Sequence, residues 1–144
     1  MIHPTVSFHF ADKQCTLTQR TVLKHFLVTL FRKEKTPLES LNYIFCSDEY
    51  LLQINRNHLQ HDYYTDIITF NMADRLQPVV GEIYISIDRV KDNARQFQVS
   101  FAHELHRVIF HGGLHLCGYK DKSKEQQALM RKMEDKYLKA YFKE

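Results

Sequence analysis

The chain has 144 residues, 44% of them hydrophobic and 26% charged, which is enough for one domain with a real core and too little for two. A formal charge of +3 excludes a global electrostatic pull onto nucleic acid, so any such contact must rest on local basic clusters. Three cysteines, Cys15, Cys46 and Cys117, are too few and too scattered for a disulfide framework, which points to a reducing compartment. Residues 1–10 carry no signal-peptide pattern and no segment approaches membrane-spanning length, so the expected location is the cytosol.

In chain order, the alternation of Val6, Phe8 and Phe10 within residues 4–17 predicts a first strand. Thr18 is placed to cap a helix running to about Lys33, with Val22, Leu23, Phe26, Leu27, Leu30 and Phe31 at helical spacing. Arg20, Lys24, Arg32, Lys33 and Lys35 lie opposite and read as a solvated face rather than an RNA-binding stripe. Leu41–Cys46 predicts a second strand, and Ser47 or Asp48 caps a short helix through Tyr50, Leu51, Leu52 and Ile54. An irregular stretch follows from Asn57 to Tyr64, in which His61 reads as an exposed loop residue. Thr65–Asn71 predicts a third strand and Met72 reads as packing; a turn at Asp74–Pro78 leads to a fourth strand over about Val80–Ile87. Asp88 is placed to cap a helix through Val90, Ala94 and Phe97, with a break near Val99–Ser100 before the next helix. Ser123 and Gln126 form a plausible capping box for a last helix with an apolar stripe of Leu129, Met130, Met133, Tyr137 and Tyr141. The fold class expected is α+β: a single domain over residues 1–144, with a small mixed four-stranded sheet packed with helices.

One stretch carries chemistry. It runs from His111 to Asp121 and reads His-Gly-Gly-Leu-His-Leu-Cys-Gly-Tyr-Lys-Asp. His111 and His115, four residues apart, share a helix face and can grip one transition-metal ion. Gly118 stands where a helix can end in a left-handed residue, and a reversal there returns Asp121 as a third ligand. Two nitrogens, one carboxylate oxygen and a fourth place for water suit Zn2+, with another divalent transition metal possible. The spacing matches the zinc helix of metzincin proteases, except that Gly112 stands where those enzymes carry a general-base Glu. Glu104 and Arg107 fall near the face of His111, one and two turns earlier; they read either as groups that orient the site or as a surface ion pair. His103 and His106 have no third ligand nearby and read as non-ligands. Cys15, Cys46, Cys117, Met130 and Met133 read as packing residues.

The same stretch resembles the signature of the YbeY family, His-Gly-x-Leu-His-Leu-x-Gly-Tyr-Asp-His. Two upstream blocks agree: Asn55 followed by Asp62 and Thr65-Asp66-Ile67-Ile68-Thr69-Phe70, and Gly81-Glu82-Ile83-Tyr84-Ile85-Ser86. The resemblance covers about residues 40–123. It implies a metal-dependent, single-strand-specific endoribonuclease of ribosomal RNA maturation and ribosome quality control, with the small ribosomal subunit as partner and neither DNA nor membrane involved. Two departures stand out: Asp121 replaces the family's third zinc-binding His, and Leu59 stands where the family usually has an Arg for the RNA phosphate, a role open to Arg56 or another cation. Glu104, Asp66 and Glu82 are carboxylates available to assist proton transfer, and the sequence does not choose among them. Two alternatives remain beside the nuclease: a non-catalytic RNA-binding assembly factor with a structural metal, and a metzincin-like protease.

Overall fold

The structure, a computed structural model, describes residues 3–143. Its elements run β1 (Thr5–Phe10), α1 (Arg20–Lys33), β2 (Leu38–Cys46), α2 (Asp48–Leu59), β3 (Ile67–Asn71), β4 (Val79–Ser86), α3 (Ile87–Phe97), α4 (Phe101–Leu116) and α5 (Lys124–Phe142). The sheet order is β1-β2-β4-β3. β1, β2 and β4 are parallel, and β3 closes one edge antiparallel to β4, with Ile67 opposite Ile85. The expected α+β fold with a mixed four-stranded sheet is therefore the fold observed.

Strand alternation divides the core. On one face Leu41, Tyr43, Phe45, Ile83 and Ile85 pack with Leu23, Leu27 and Phe31 of α1 and with Val108, Ile109 and Leu114 of α4. On the other, Cys46, Leu51 and Ile68 form a smaller cluster with Ile54, Phe70 and Tyr84. Truncating a ring as buried as Phe45 or Phe110 would cost about 3–5 kcal/mol.

Helix α4 lies directly on the sheet because one of its positions, Gly112, has no side chain. A Cβ on Gly112 would meet Ile67 Cδ1 at 2.9 Å and Ile83 Cγ2 at 3.0 Å. Beside it the buried Tyr43 hydroxyl donates to the Ile109 carbonyl at 2.7 Å, which ties β2 to the middle of α4.

Several local expectations give way to tertiary structure. Helix α1 starts at Arg20 rather than being capped by Thr18; its first flanking residue, Gln19, is left-handed at φ 53° and no side chain caps it. Leu17 is buried, and anchoring it sets where the chain can turn. The cap of α3 is Ser86, whose hydroxyl accepts from Arg89 N at 3.2 Å, not Asp88. Asp88 instead accepts from the Asp48 amide at 2.9 Å and from Lys13, so it holds the start of α2. Ser47 caps α2, and the expected capping box of α5 forms between Ser123 and Gln126. Val22, Leu129 and Met72, expected to pack, are 54%, 49% and 62% exposed. Apolar spacing marks which residues can be buried, and covering them depends on what lies opposite. Cys46 is buried, while Cys15 and Cys117 are half-buried against the main cluster. Burial pushes the Cys46 thiol up to about 12.

The close contact at Gly112 gives a direct test. Gly112→Glu, which would restore the metalloprotease base, forces a carboxylate against Ile67 and Ile83 and is expected to destabilise the fold by about 3 kcal/mol or more. Thermal unfolding checks it; a variant that melts with the parent would contradict this packing.

Candidate metal centre

The site is built at the C-terminal end of α4 and completed by the turn after it. Helical spacing places the His111 and His115 rings side by side, their centroids 4.6 Å apart. The helix then closes through Cys117, and Gly118 takes φ +103°, a value that L residues resist. Gly118 N–H bonds the His115 carbonyl at 3.0 Å and Tyr119 N–H bonds the Leu114 carbonyl at 3.1 Å, the paired bonds of a Schellman turn. The emerging segment is fixed at both ends. Tyr119 donates to Glu34 Oε1 at 2.7 Å, and Lys122 and Ser123 amides donate to Gln126 Oε1 at 3.0 and 3.1 Å.

Asp121, between these anchors, points back at the helix. Its Oδ2 lies 3.4 Å from His111 Nε2 and 3.3 Å from His115 Nε2. One donor atom from each of the three residues falls within 4.8 Å of the others. The sequence expectation that these three residues meet therefore holds, and the set suits a borderline-soft divalent ion.

A buried chain of charges stands behind His111. Its Nδ1 is 2.6 Å from Glu134 Oε2, and Glu134 Oε1 accepts from Arg107 Nη1 at 2.9 Å. Arg107 also grips Glu104, through Nε at 2.9 Å and through Nη2. Glu104 and Glu134 are only 1% and 2% exposed, so the surface ion pair considered for Glu104 and Arg107 is in fact buried. Burial works to raise the Glu134 carboxyl, but the His111 bond and the Arg107 charge outweigh it and hold it below its ordinary value. An ionised Glu134 accepts a hydrogen bond from His111 Nδ1–H, which leaves the Nε2 lone pair facing Asp121. Glu104 and Glu134 share the Arg107 guanidinium, with Arg131 Nη1 3.6 Å from Glu134, whereas Asp121 meets only the two imidazoles, and a divalent cation between them would offset its charge. The donors and their charge therefore fit a metal ion.

Glu134 was not singled out from the sequence. It lies on α5, 23 positions from its partner, and only packing of α5 on α4 brings it to His111. The available signal was a carboxylate between Met130 and Tyr137 on an apolar stripe, where an unpaired charge is rarely placed.

Two clefts flank the centre and share Arg107, His111 and Asp121. One, of about 380 Å³, has a wall of Thr65, Asp66, Ile67 and Thr69. The other, of about 560 Å³, runs along α5 past Lys124 and Arg131. Of the three carboxylates considered for proton transfer, Asp66 lines the first cleft, Glu104 is locked to Arg107, and Glu82 bonds the Tyr84 hydroxyl at 3.1 Å. Burial raises the Asp66 carboxyl above its ordinary value, against the pull of His111 and Arg107. His103 and His106 stay apart from the metal group: His106 is buried, with Nδ1 2.6 Å from the Ala102 carbonyl and its ring stacked on Tyr141. Leu59 is exposed at the end of α2, and Arg56 pairs with Asp62 at 2.5 Å; neither residue lines these clefts.

Fold and site together define a small α+β scaffold with a two-histidine, one-carboxylate group of the kind used by metal-dependent hydrolases. The model of the family described as endoribonuclease YbeY matches residues 6–142. The chain is 51% identical over 138 residues to the endoribonuclease YbeY of Cytophaga hutchinsonii, covering 96% of each chain. It is 42% identical over 138 residues to that of Flavobacterium psychrophilum, covering 94% of this chain and 96% of the relative. The solution structure of a Thermotoga maritima protein superposes with a TM-score of 0.61 at 28% identity, covering 95% of this chain and 89% of that one. The chain belongs to the YbeY endoribonuclease family, and so to a family of hydrolases that act on RNA.

The charge chain makes a measurable claim. Glu134→Gln keeps the shape but removes the charge that orients His111, and the affinity for zinc is expected to fall about tenfold or more in competition with a chromophoric chelator. Unchanged affinity would show that Glu134 does not support the ligand.

Proposed function

We propose that this chain is a zinc-dependent, single-strand-specific endoribonuclease that cuts ribosomal RNA during maturation and quality control of the small subunit, in the cytoplasm. The observation that carries the reading is the convergence of His111, His115 and Asp121 at the junction of two polar clefts, in a chain of the YbeY family. His111, His115 and Asp121 would hold the ion, which in that place supplies Lewis acidity and positive charge for attack of water on phosphorus.

The protein's own part follows from its geometry. Glu134 keeps His111 in the tautomer that offers Nε2, and Arg107 holds Glu134 in place. The Arg107 guanidinium is engaged by two carboxylates, so its role is positioning rather than gripping phosphate. Lys124 and Arg131 provide positive charge along the α5 side of the cleft, where flanking phosphates would lie. Asp66, on the opposite wall, is the carboxyl placed to take up or release a proton.

A protease reading loses its support at Gly112, which faces the sheet and leaves no room for a general base. One feature favours the assembly-factor reading: the exposed Leu59, where the resemblance implies a phosphate-binding Arg. Gel-resolved cleavage of single-stranded RNA separates the two. The zinc-loaded protein is expected to cut, with activity lost on chelation and in His111→Ala. Absence of cleavage by a protein carrying stoichiometric zinc would favour the assembly factor instead. Among the described residues no helix is long and apolar enough to cross a membrane.

A further inference from the structure

The segment between α2 and β3 presents aromatic surface to solvent. Tyr63 is 56% and Tyr64 46% exposed. The His61 ring stacks on Tyr63, with centroids 5.2 Å apart and planes 20° from parallel, and the Tyr63 hydroxyl lies 3.0 Å from His61 Nδ1. The segment is held in this shape from below. Asn55, 2% exposed, donates from Nδ2 to the Tyr63 carbonyl at 2.9 Å, and its own carbonyl accepts from His61 N–H at 3.1 Å. Tyr64 is fixed separately, by its hydroxyl on Glu49 Oε1 at 2.5 Å and by the Arg89 guanidinium 5.1 Å from its ring centroid. A buried amide thus fixes the main chain that carries an exposed stacked pair, an arrangement that a solvated loop does not need.

The place of this pair matters. Tyr63 is two residues ahead of Thr65, and Thr65 and Asp66 form a wall of the cleft that holds His111, His115 and Asp121. Two residues of chain span at most roughly 7 Å, so the Tyr63 main chain lies no farther than that from the Thr65 main chain at the edge of the cleft wall. The pair is neutral when His61 is unprotonated, and its chemistry is that of flat π-faces rather than of phosphate recognition.

We propose that His61 and Tyr63 form a stacking platform for one unpaired base of the substrate RNA beside the reacting phosphodiester, a proposal that rests on the endoribonuclease reading of the site. Every base has a π-face, so such a platform accepts any sequence, and a base already stacked in a duplex is not available to it. Single-strand preference then arises in the loop itself. Binding here draws on stacking, while the nearby cations Arg56 and Arg89 are already engaged, by Asp62 and by Asp48 and the Tyr64 ring.

The chain contains no tryptophan, so Tyr63→Trp creates a single reporter at the platform. The test titrates the full-length protein, in chelator so that RNA stays intact, with a short single-stranded RNA and with the same backbone bearing abasic sites. The expected result is quenching of the reporter by the base-bearing strand and wild-type binding that is about tenfold weaker for the abasic one. Tyr63→Ala is expected to lose this preference, and Tyr63→Phe, which keeps the ring, to retain it. A full preference in Tyr63→Ala, or none in the wild type, would overturn the platform. Cleavage is scored separately. RNA cut by a protein whose Tyr63→Ala form keeps the preference sinks the platform alone; a working platform on a protein that never cuts sinks the nuclease reading alone.

Discussion

The structure depends most on one buried ion-pair chain, Glu104–Arg107–Glu134, ending on the Nδ1 atom of His111. Taking these groups out of water is costly, and only near-complete pairing offsets that cost. Here each carboxylate is met by the guanidinium, and the remaining acceptor of Glu134 is met by the imidazole. Removing one member would leave an uncompensated buried charge, a loss of about 3–5 kcal/mol in comparable pairs. The same chain joins α4 to α5 and sets the direction of a ligand ring, so stability and site geometry share one set of bonds.

The second constraint is the close approach of α4 to the sheet. Gly112 lets the helix rest on Ile67 and Ile83, and Tyr43 fixes its height by bonding the Ile109 carbonyl. His111 and His115 are thereby held beside the β3 edge of the sheet, where Ile67 and Thr69 line the same cleft. The Glu34 carboxylate plays a matching part for the turn: it bonds the hydroxyls of both Tyr119 and Tyr137, tying the returning segment to α1 and α5. Asp121 therefore reaches the histidines from a segment braced on three helices.

The sequence made the local half of this site legible. His111, His115, Gly118 and Asp121 lie within eleven residues, and helix periodicity with a glycine stop is enough to bring them together. Strand alternation in β4 and the capping box of α5 were legible for the same reason. What escaped depends on partners far along the chain. Nothing in the local spacing names the partners of Glu134 or Glu34; only packing sets them beside His111 and Tyr119. Thr18 lost its capping role because burying Leu17 fixed the turn. Met72 and Leu129 have the spacing of core residues, yet no element covers them. The Glu104–Arg107 pair was visible as a spacing, but its burial was not, and burial is what turns an ordinary ion pair into a support for the ligand.

An ionised Glu134 bonded to Nδ1 fixes His111 so that Nε2 is free to bind an ion. The most direct measurement is the imidazole nitrogen shifts of His111 in the full-length, metal-free protein at mildly alkaline pH, by long-range proton–nitrogen correlation NMR. The expected result is the tautomer with its proton on Nδ1 and a bare Nε2. A proton on Nε2, or a mixture of both tautomers as in a free imidazole, would contradict it.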